Sequence, residues 1–217
     1  MTGIHALVLC GGELTGLPAV PVTPADLIIA ADSGLSWAEI LGVHPDIAVG
    51  DFDSVPEELL GAYEKSGTRI SRYPVVKDST DLELALRVAL DAGTSRVTVV
   101  GGGGGRLDHQ LGNLMLLAHT DFSGVELTAE IIPARVSVVH DSRELSGRPG
   151  DLVSLFPVGG RATGVTTEGL AFSLEGAHLD VGSTRGVSNA FVLNTAIVRI
   201  QTGVLLAIQP DFHRRAT

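Results

Sequence analysis

Five aspartates fall in three short blocks of the first half: Gly50-Asp51-Phe52-Asp53-Ser54, Lys77-Asp78-Ser79-Thr80-Asp81 and Gly105-Arg106-Leu107-Asp108-His109. Carboxylates held close together repel one another, and a fold keeps such a group where a cation neutralises it. Asp51 and Asp53 are two residues apart, so on an extended segment both point to one side. Paired hard oxygen ligands suit Mg2+, which takes one or two carboxylates and completes its shell with phosphate oxygens and water. The chemistry this suggests is a metal-dependent reaction on something phosphorylated. Plainer roles exist for some of these residues. Asp53 and Ser54 could cap a following helix, and Asp81 in a first helical turn would favour the macrodipole. Asp51 and Asp78 have no such explanation, and Lys77 sets a cation beside the second block.

The glycine run Gly101 to Gly105 leads into the third block. Glycines between a strand and a helix let backbone approach phosphates, and a helix N-terminus favours anions. The run lacks the Lys-Ser/Thr ending of a P-loop and the acidic companion of a dinucleotide fingerprint. A flexible turn is the alternative. Arg106 could hold a phosphate bidentately. Asp108 could bind metal, orient a substrate or cap the helix, and His109 reads as a solvated or packed histidine.

The elements that must position these residues follow from periodicity. Residues 4–10, Leu27 to Ala31, Asp46 to Gly50, Thr68 to Tyr73 and Arg96 to Gly101 read as strands. Capping-box spacings start helices at Ser36 and Thr80, Ser54 to Glu57 opens another, and Leu107 to His119 forms a fourth. Leu82, Ala85, Leu86, Ala89 and Leu90 have helical spacing. Four strand-to-helix repeats imply a layered α/β domain with a mostly parallel sheet, in which strand-to-helix junctions gather at one edge. Beyond residue 124 the pattern becomes strand-like at roughly 128–132, 135–140, 151–156, 186–193, 195–201 and 204–208, without a helix period. The expected organisation is therefore an α/β domain over 1–123 and a small all-β sandwich or barrel fragment over 124–217. The polar stretch Ser183 to Asn189 between strands is adequately explained as a turn.

Composition narrows the partners. The chain has 217 residues, with 25 acidic and 15 basic side chains and a formal charge of -10. That balance argues against a nucleic-acid binder, which would show a basic face. The single cysteine, Cys10, excludes an internal disulfide, reads as a buried structural thiol and places the protein in a reducing cytoplasm. No signal peptide is legible, and no apolar stretch approaches the ~20 residues of a membrane span.

Taken in order, the blocks resemble the thiamine pyrophosphokinase (thiamine diphosphokinase) family. The resembling residues are Ala31-Asp32-Ser33-Gly34, Pro45-Asp46 leading into Gly50 to Ser54, Lys77 to Glu83, Gly105 to His109 with Asn113, and Arg185 to Asn189. The similarity runs from residue 3 to about residue 210, and five blocks in order and spacing are a specific signal. The resemblance implies an ATP-binding α/β domain and a C-terminal β-sandwich in a homodimer, with the thiamine pocket between subunits. It implies Mg2+ and ATP phosphates on Asp51, Asp53 and Asp81. Asp32, Lys77, Asp78, Gly104 and Arg106 would form the nucleotide site, Asp108 would position reacting groups near thiamine, and Ser188 and Asn189 would contact thiamine. Some members stack the substrate on a tryptophan; the only tryptophan here is Trp37, and Phe172 could take that place. The implied reaction moves the pyrophosphoryl group of ATP to the thiamine hydroxyl, giving thiamine diphosphate and AMP. The alternatives are a related pyrophosphokinase acting on another alcohol such as a hydroxymethyl-pterin, a metal-dependent phosphohydrolase or sugar-nucleotide transferase, and a nucleotide-binding regulator.

Overall fold

The computed structural model describes residues 3–13, 24–74 and 78–215. Strands and helices alternate in the first half. They are β1 (Ile4–Cys10), β2 (Leu27–Ala31), α1 (Leu35–Leu41), β3 (Ile47–Gly50), α2 (Glu57–Lys65), β4 (Arg69–Arg72), α3 (Asp81–Asp91), β5 (Thr94–Gly101) and α4 (Leu107–Leu117). Strands alone follow: β6 (Glu126–Ile131), β7 (Ala134–Val139), β8 (Ser142–Ser146), β9 (Leu152–Pro157), β10 (Ala162–Glu168), β11 (Ala177–Leu179), β12 (Asn189–Ala190), β13 (Thr195–Arg199) and β14 (Leu205–Gln209). The described chain divides into two compact units. Among the described residues, one holds 3–13, 24–74, 78–113 and Gly124–Ala129; the other holds Leu114–Ser123 and 130–215.

In the first unit β5, β1, β2, β3 and β4 lie side by side in that order, every pair parallel. β1 is buried from His5 to Cys10, as expected of a parallel strand covered on both faces. α3 shows why the expected helix forms. Thr80 accepts a hydrogen bond from the Glu83 N–H at 3.2 Å, and Leu82, Ala85, Leu86 and Ala89 bury one face. Glu83 and Arg87 add an i,i+4 pair at 2.8 Å on the outer side.

Two expected helix starts differ. α1 begins at Leu35, directly after a 3-10 turn over Asp32–Gly34, so Ser36 lies inside the helix and caps nothing. The chain turns at once at the end of β2 through Asp32, whose φ is 46°, leaving no extended residue at Ser36 to act as a cap. α2 begins at Glu57 with Pro56 as the N-cap residue, which has no side-chain acceptor to offer; Ser54 lies two residues ahead of the cap, and its hydroxyl bonds Asp32 instead.

The second unit contains two antiparallel sheets, ordered β12-β9-β14-β7 and β11-β10-β13-β8. Val139, Val153, Leu155, Leu205 and Ala207 from the first share one core with Leu145, Val165, Leu179, Ala196 and Val198 from the second. Their packing makes a sandwich. Of the strand expected over 186–193, only Asn189–Ala190 is extended, since Ser188 adopts a φ of 57° that breaks the run. β8, β10 and β11 went unforeseen. β8 buries only Leu145, and β10 carries a glycine and three threonines, so neither shows a strong apolar alternation.

Candidate active site

The C-terminal ends of the parallel strands in the first unit carry the acidic blocks. Asp32 follows β2, Asp51 and Asp53 follow β3, Asp78 lies between β4 and α3, Asp81 opens α3, and the Arg106 block follows β5. In open α/β sheets this is the edge where ligands bind.

The loop after β3 is shaped by its middle residue. Phe52 is buried at a φ of 59°, with the Arg72 guanidinium 5.6 Å from its ring centre. Sinking Phe52 leaves Asp51 half-buried and Asp53 exposed, and the Asp53 N–H returns to Asp51 Oδ1 at 3.2 Å. Asp32 joins them: one carboxylate oxygen each from Asp32, Asp51 and Asp53 lies within 4.8 Å of the others. The Asp51 charge, helped by Asp32 and Asp81, pushes the Asp53 carboxyl above its ordinary value. Asp81 is not one of those three at that distance, yet its charge reaches both Asp53 and Cys10. Such mutual repulsion is what a divalent cation relieves, and three hard oxygens at this spacing fit Mg2+.

The glycine run serves close packing as well as any ligand. Gly101 has a φ of 96°, and a Cβ there would lie 2.0 Å from the Cys10 carbonyl oxygen. Gly104 has a φ of 75°, and a Cβ there would lie 2.5 Å from Cβ of Glu13. The chain after β1 thus runs against the glycine loop, with the Glu13 N–H donating to the Gly103 carbonyl at 3.0 Å. Asn113 reaches back from α4 to the Gly102 carbonyl at 3.1 Å. Behind the loop, Arg106 pairs with Asp108 through two nitrogens, at 2.6 and 3.2 Å. The Arg106 hydrogen bonds hold the Asp108 carboxyl down to about 2. His109 is exposed, in keeping with a solvated histidine.

Cys10 sits beneath this edge. Burial, with added repulsion from Asp81 and Asp32, pushes its thiol up to about 12, so it is an inert structural thiol. Trp37 is buried in the core.

Family models decide the kinship. Residues 22–129 match the thiamin pyrophosphokinase catalytic domain, and residues 138–205 match the thiamin pyrophosphokinase vitamin B1 binding domain. This chain belongs to the thiamin pyrophosphokinase family. It is 29% identical over 195 residues to the thiamine pyrophosphokinase of Bacillus subtilis, covering 84% of this chain and 86% of that one. The crystal structure of the Bacillus subtilis protein superposes with a TM-score of 0.81 at 25% identity, covering 95% of this chain and 98% of that one. A thiamin pyrophosphokinase family protein of Enterococcus faecalis shares the fold, with a TM-score of 0.82 at 24% identity over 95% of this chain and 98% of its own.

The remaining family positions are divided. Lys77 lies outside the described residues, and Asp78 is exposed ahead of α3. In the vitamin B1 binding part, Ser188 is exposed, and its N–H donates to Ser154 Oγ at 3.0 Å. Asn189 is buried. Its Oδ1 accepts from the N–H groups of Phe172 and Ala190, each at 2.9 Å, and its Nδ2 donates to the Phe172 carbonyl at 2.7 Å. Phe172 itself is 70% exposed, against a tryptophan that is wholly inside. Missing from the sequence reading were the contact of Glu13 with the glycine loop and the bond from Ser54 to Asp32. The first had no signal beyond the doubled glycine before Glu13; the second joins residues 22 positions apart and had none.

Proposed function

We propose that this family member transfers the pyrophosphoryl group of ATP to the hydroxyl of thiamine, releasing AMP. It is an ATP-dependent pyrophosphotransferase. The observation that carries this reading is the pair of family matches, catalytic and vitamin B1 binding, on a chain whose catalytic part gathers three carboxylates at the ligand edge of its sheet.

Residues 1–123 are assigned the nucleotide and cation, and residues 124–217 the thiamine. Asp51, Asp53 and Asp81 would hold Mg2+ beside the ATP phosphates. When bound, the ion neutralises polyphosphate charge, including the charge that moves onto the departing AMP. Asp32, Lys77, Asp78, Gly104 and Arg106 are assigned to the nucleotide. The thiamine oxygen forms a bond to the β-phosphorus, the bond from that phosphorus to the α,β-bridging oxygen breaks, and the alcohol proton leaves to solvent or a nearby carboxylate. Little covalent work falls to the protein, so positioning and charge dominate. Asp108, held to about 2, is a weak base. Its part is to place Arg106 and to set a negative charge near a cationic substrate. Ser188, Asn189 and Phe172 are assigned to thiamine, Asn189 through the loop it holds.

A homodimer with the pocket at the subunit interface is supported by exposed apolar side chains on α4. Leu107, Leu111 and Met115 are 77%, 50% and 56% exposed at i, i+4 and i+8, hence on one face. A cytoplasmic location is supported by the lone buried Cys10. No helix among the described residues is long and apolar enough to cross a membrane.

The test is a panel of acceptor alcohols offered with ATP and Mg2+. Thiamine should be pyrophosphorylated at least tenfold faster than a hydroxymethyl-pterin. Preference for the pterin would replace the substrate while leaving the phosphate chemistry in place.

A further inference from the structure

The GDFDS block ends in a serine whose helix-capping role the structure removes, and what that serine does instead bears on the cation. Its Oγ donates to Asp32 Oδ2 through a short hydrogen bond that ties the loop after β3 to the turn after β2. The other oxygen of Asp32, Oδ1, is buried and has no hydrogen-bond partner. Buried acceptors are nearly always paired, and each unpaired one calls for an explanation such as a missing ion. Asp32 is also one of the three carboxylates whose oxygens lie within 4.8 Å of one another.

We infer that Ser54 is a positioning residue for the cation site: its hydroxyl occupies one oxygen of Asp32 and holds the carboxylate against Asp51 and Asp53, making Asp32 a metal ligand. This rests on the reading of that site as a cation site and extends it, because Asp32 moves from the nucleotide side to the metal. The chemistry is that of an outer partner hydrogen-bonded to a ligating carboxylate. It fixes which oxygen remains for the ion and removes the freedom of the side chain to turn away. Threonine could make the same bond; alanine could not.

The test uses Mn2+ alone as probe, with the intact, nucleotide-free protein, and reads free Mn2+ by electron paramagnetic resonance. Removing such partners typically costs roughly 10–100-fold in metal affinity. Ser54→Ala should therefore weaken Mn2+ binding about tenfold with an unchanged Tm, and Ser54→Thr should restore it. Asp32→Asn should weaken binding at least as much, and adding Ser54→Ala to Asp32→Asn should change nothing further. Should Ser54→Ala fail to fold, the threonine variant and Asp32→Asn still decide. Wild-type Mn2+ affinity in Ser54→Ala, beside lost binding in Asp51→Asn, would overturn the role of Ser54 and leave the cation site standing. Wild-type affinity in Asp51→Asn would overturn the cation site itself.

Discussion

Arg106 grips Asp108, two residues further along, with one nitrogen at 2.6 Å and another at 3.2 Å, and both side chains face solvent. The pair forms at the start of α4, immediately after the glycine loop. In the nucleotide role proposed for Arg106, an incoming phosphate would compete with Asp108 for the same guanidinium, so the carboxylate would both aim Arg106 and limit how tightly it held an anion.

The pair predicts a pH response. The folded value of Asp108, about 2, lies below its ordinary 3.8, so its contribution to stability is present above pH 3.8 and fades as pH falls toward 2. Across the neutral range Asp108 stays ionised. Asp108→Asn should lower kcat roughly tenfold or more without moving any limb of a pH–rate profile between pH 5 and 9. A limb that disappears in the variant would make Asp108 the titrating base.

Asn189 spends its amide on the backbone of Phe172 and Ala190, and Phe172 stands in solvent. Phe172→Ala should raise KM for thiamine about five- to tenfold, the value of one lost aromatic contact, and leave KM for ATP unchanged. Asn189→Ala should do the same by releasing the loop. Equal effects on both substrates would remove these residues from a thiamine role.

Glu130 is buried between Arg135 and His213, accepting from His213 Nε2 at 2.7 Å and from Arg135 Nε at 2.9 Å, while the Arg135 guanidinium lies 3.6 Å from the Phe212 ring centre. Burial pushes its carboxyl up, but the bonds from His213 and Arg135 outweigh this and hold it below its ordinary 4.5. Stability from this group is therefore present above pH 4.5 and is lost as pH falls through the lowered value. His213→Ala should cost about 3–5 kcal/mol at pH 7, measured by urea unfolding, because it strips one partner from a buried charge. A change under 1 kcal/mol would mean that Arg135 alone satisfies Glu130.

The stripe on α4 predicts the assembly. Leu111→Glu should convert a dimer into a monomer by light scattering, with the monomer retaining its circular dichroism. A wild-type protein that is already monomeric would contradict the dimer.

Legibility in the sequence followed the physics. Thr80 with Glu83, and the apolar face of α3, were readable because capping and helical spacing are local. Of the parallel strands, β1, β2 and β3 were readable as short unbroken apolar runs, since a strand inside such a sheet is covered on both faces. Ser36 misled, because capping-box spacing does not reveal that the chain has already turned at Asp32. β8 and β10 were hidden by polar residues that a half-covered sheet tolerates. Grouping the aspartates at one sheet edge was foreseeable from strand-to-helix alternation. That Asp32 approaches Asp51 and Asp53, with Ser54 tying the loops, depends on left-handed turns at Asp32 and Phe52, which residue types alone do not announce.

Purified protein incubated with ATP, Mg2+ and thiamine, with products separated by chromatography, should yield AMP and thiamine diphosphate in equal amounts, both absent without thiamine and both lost in Asp51→Asn. ADP or inorganic phosphate as the nucleotide-derived product, or thiamine diphosphate formed at the wild-type rate by Asp51→Asn, would contradict the proposed reaction.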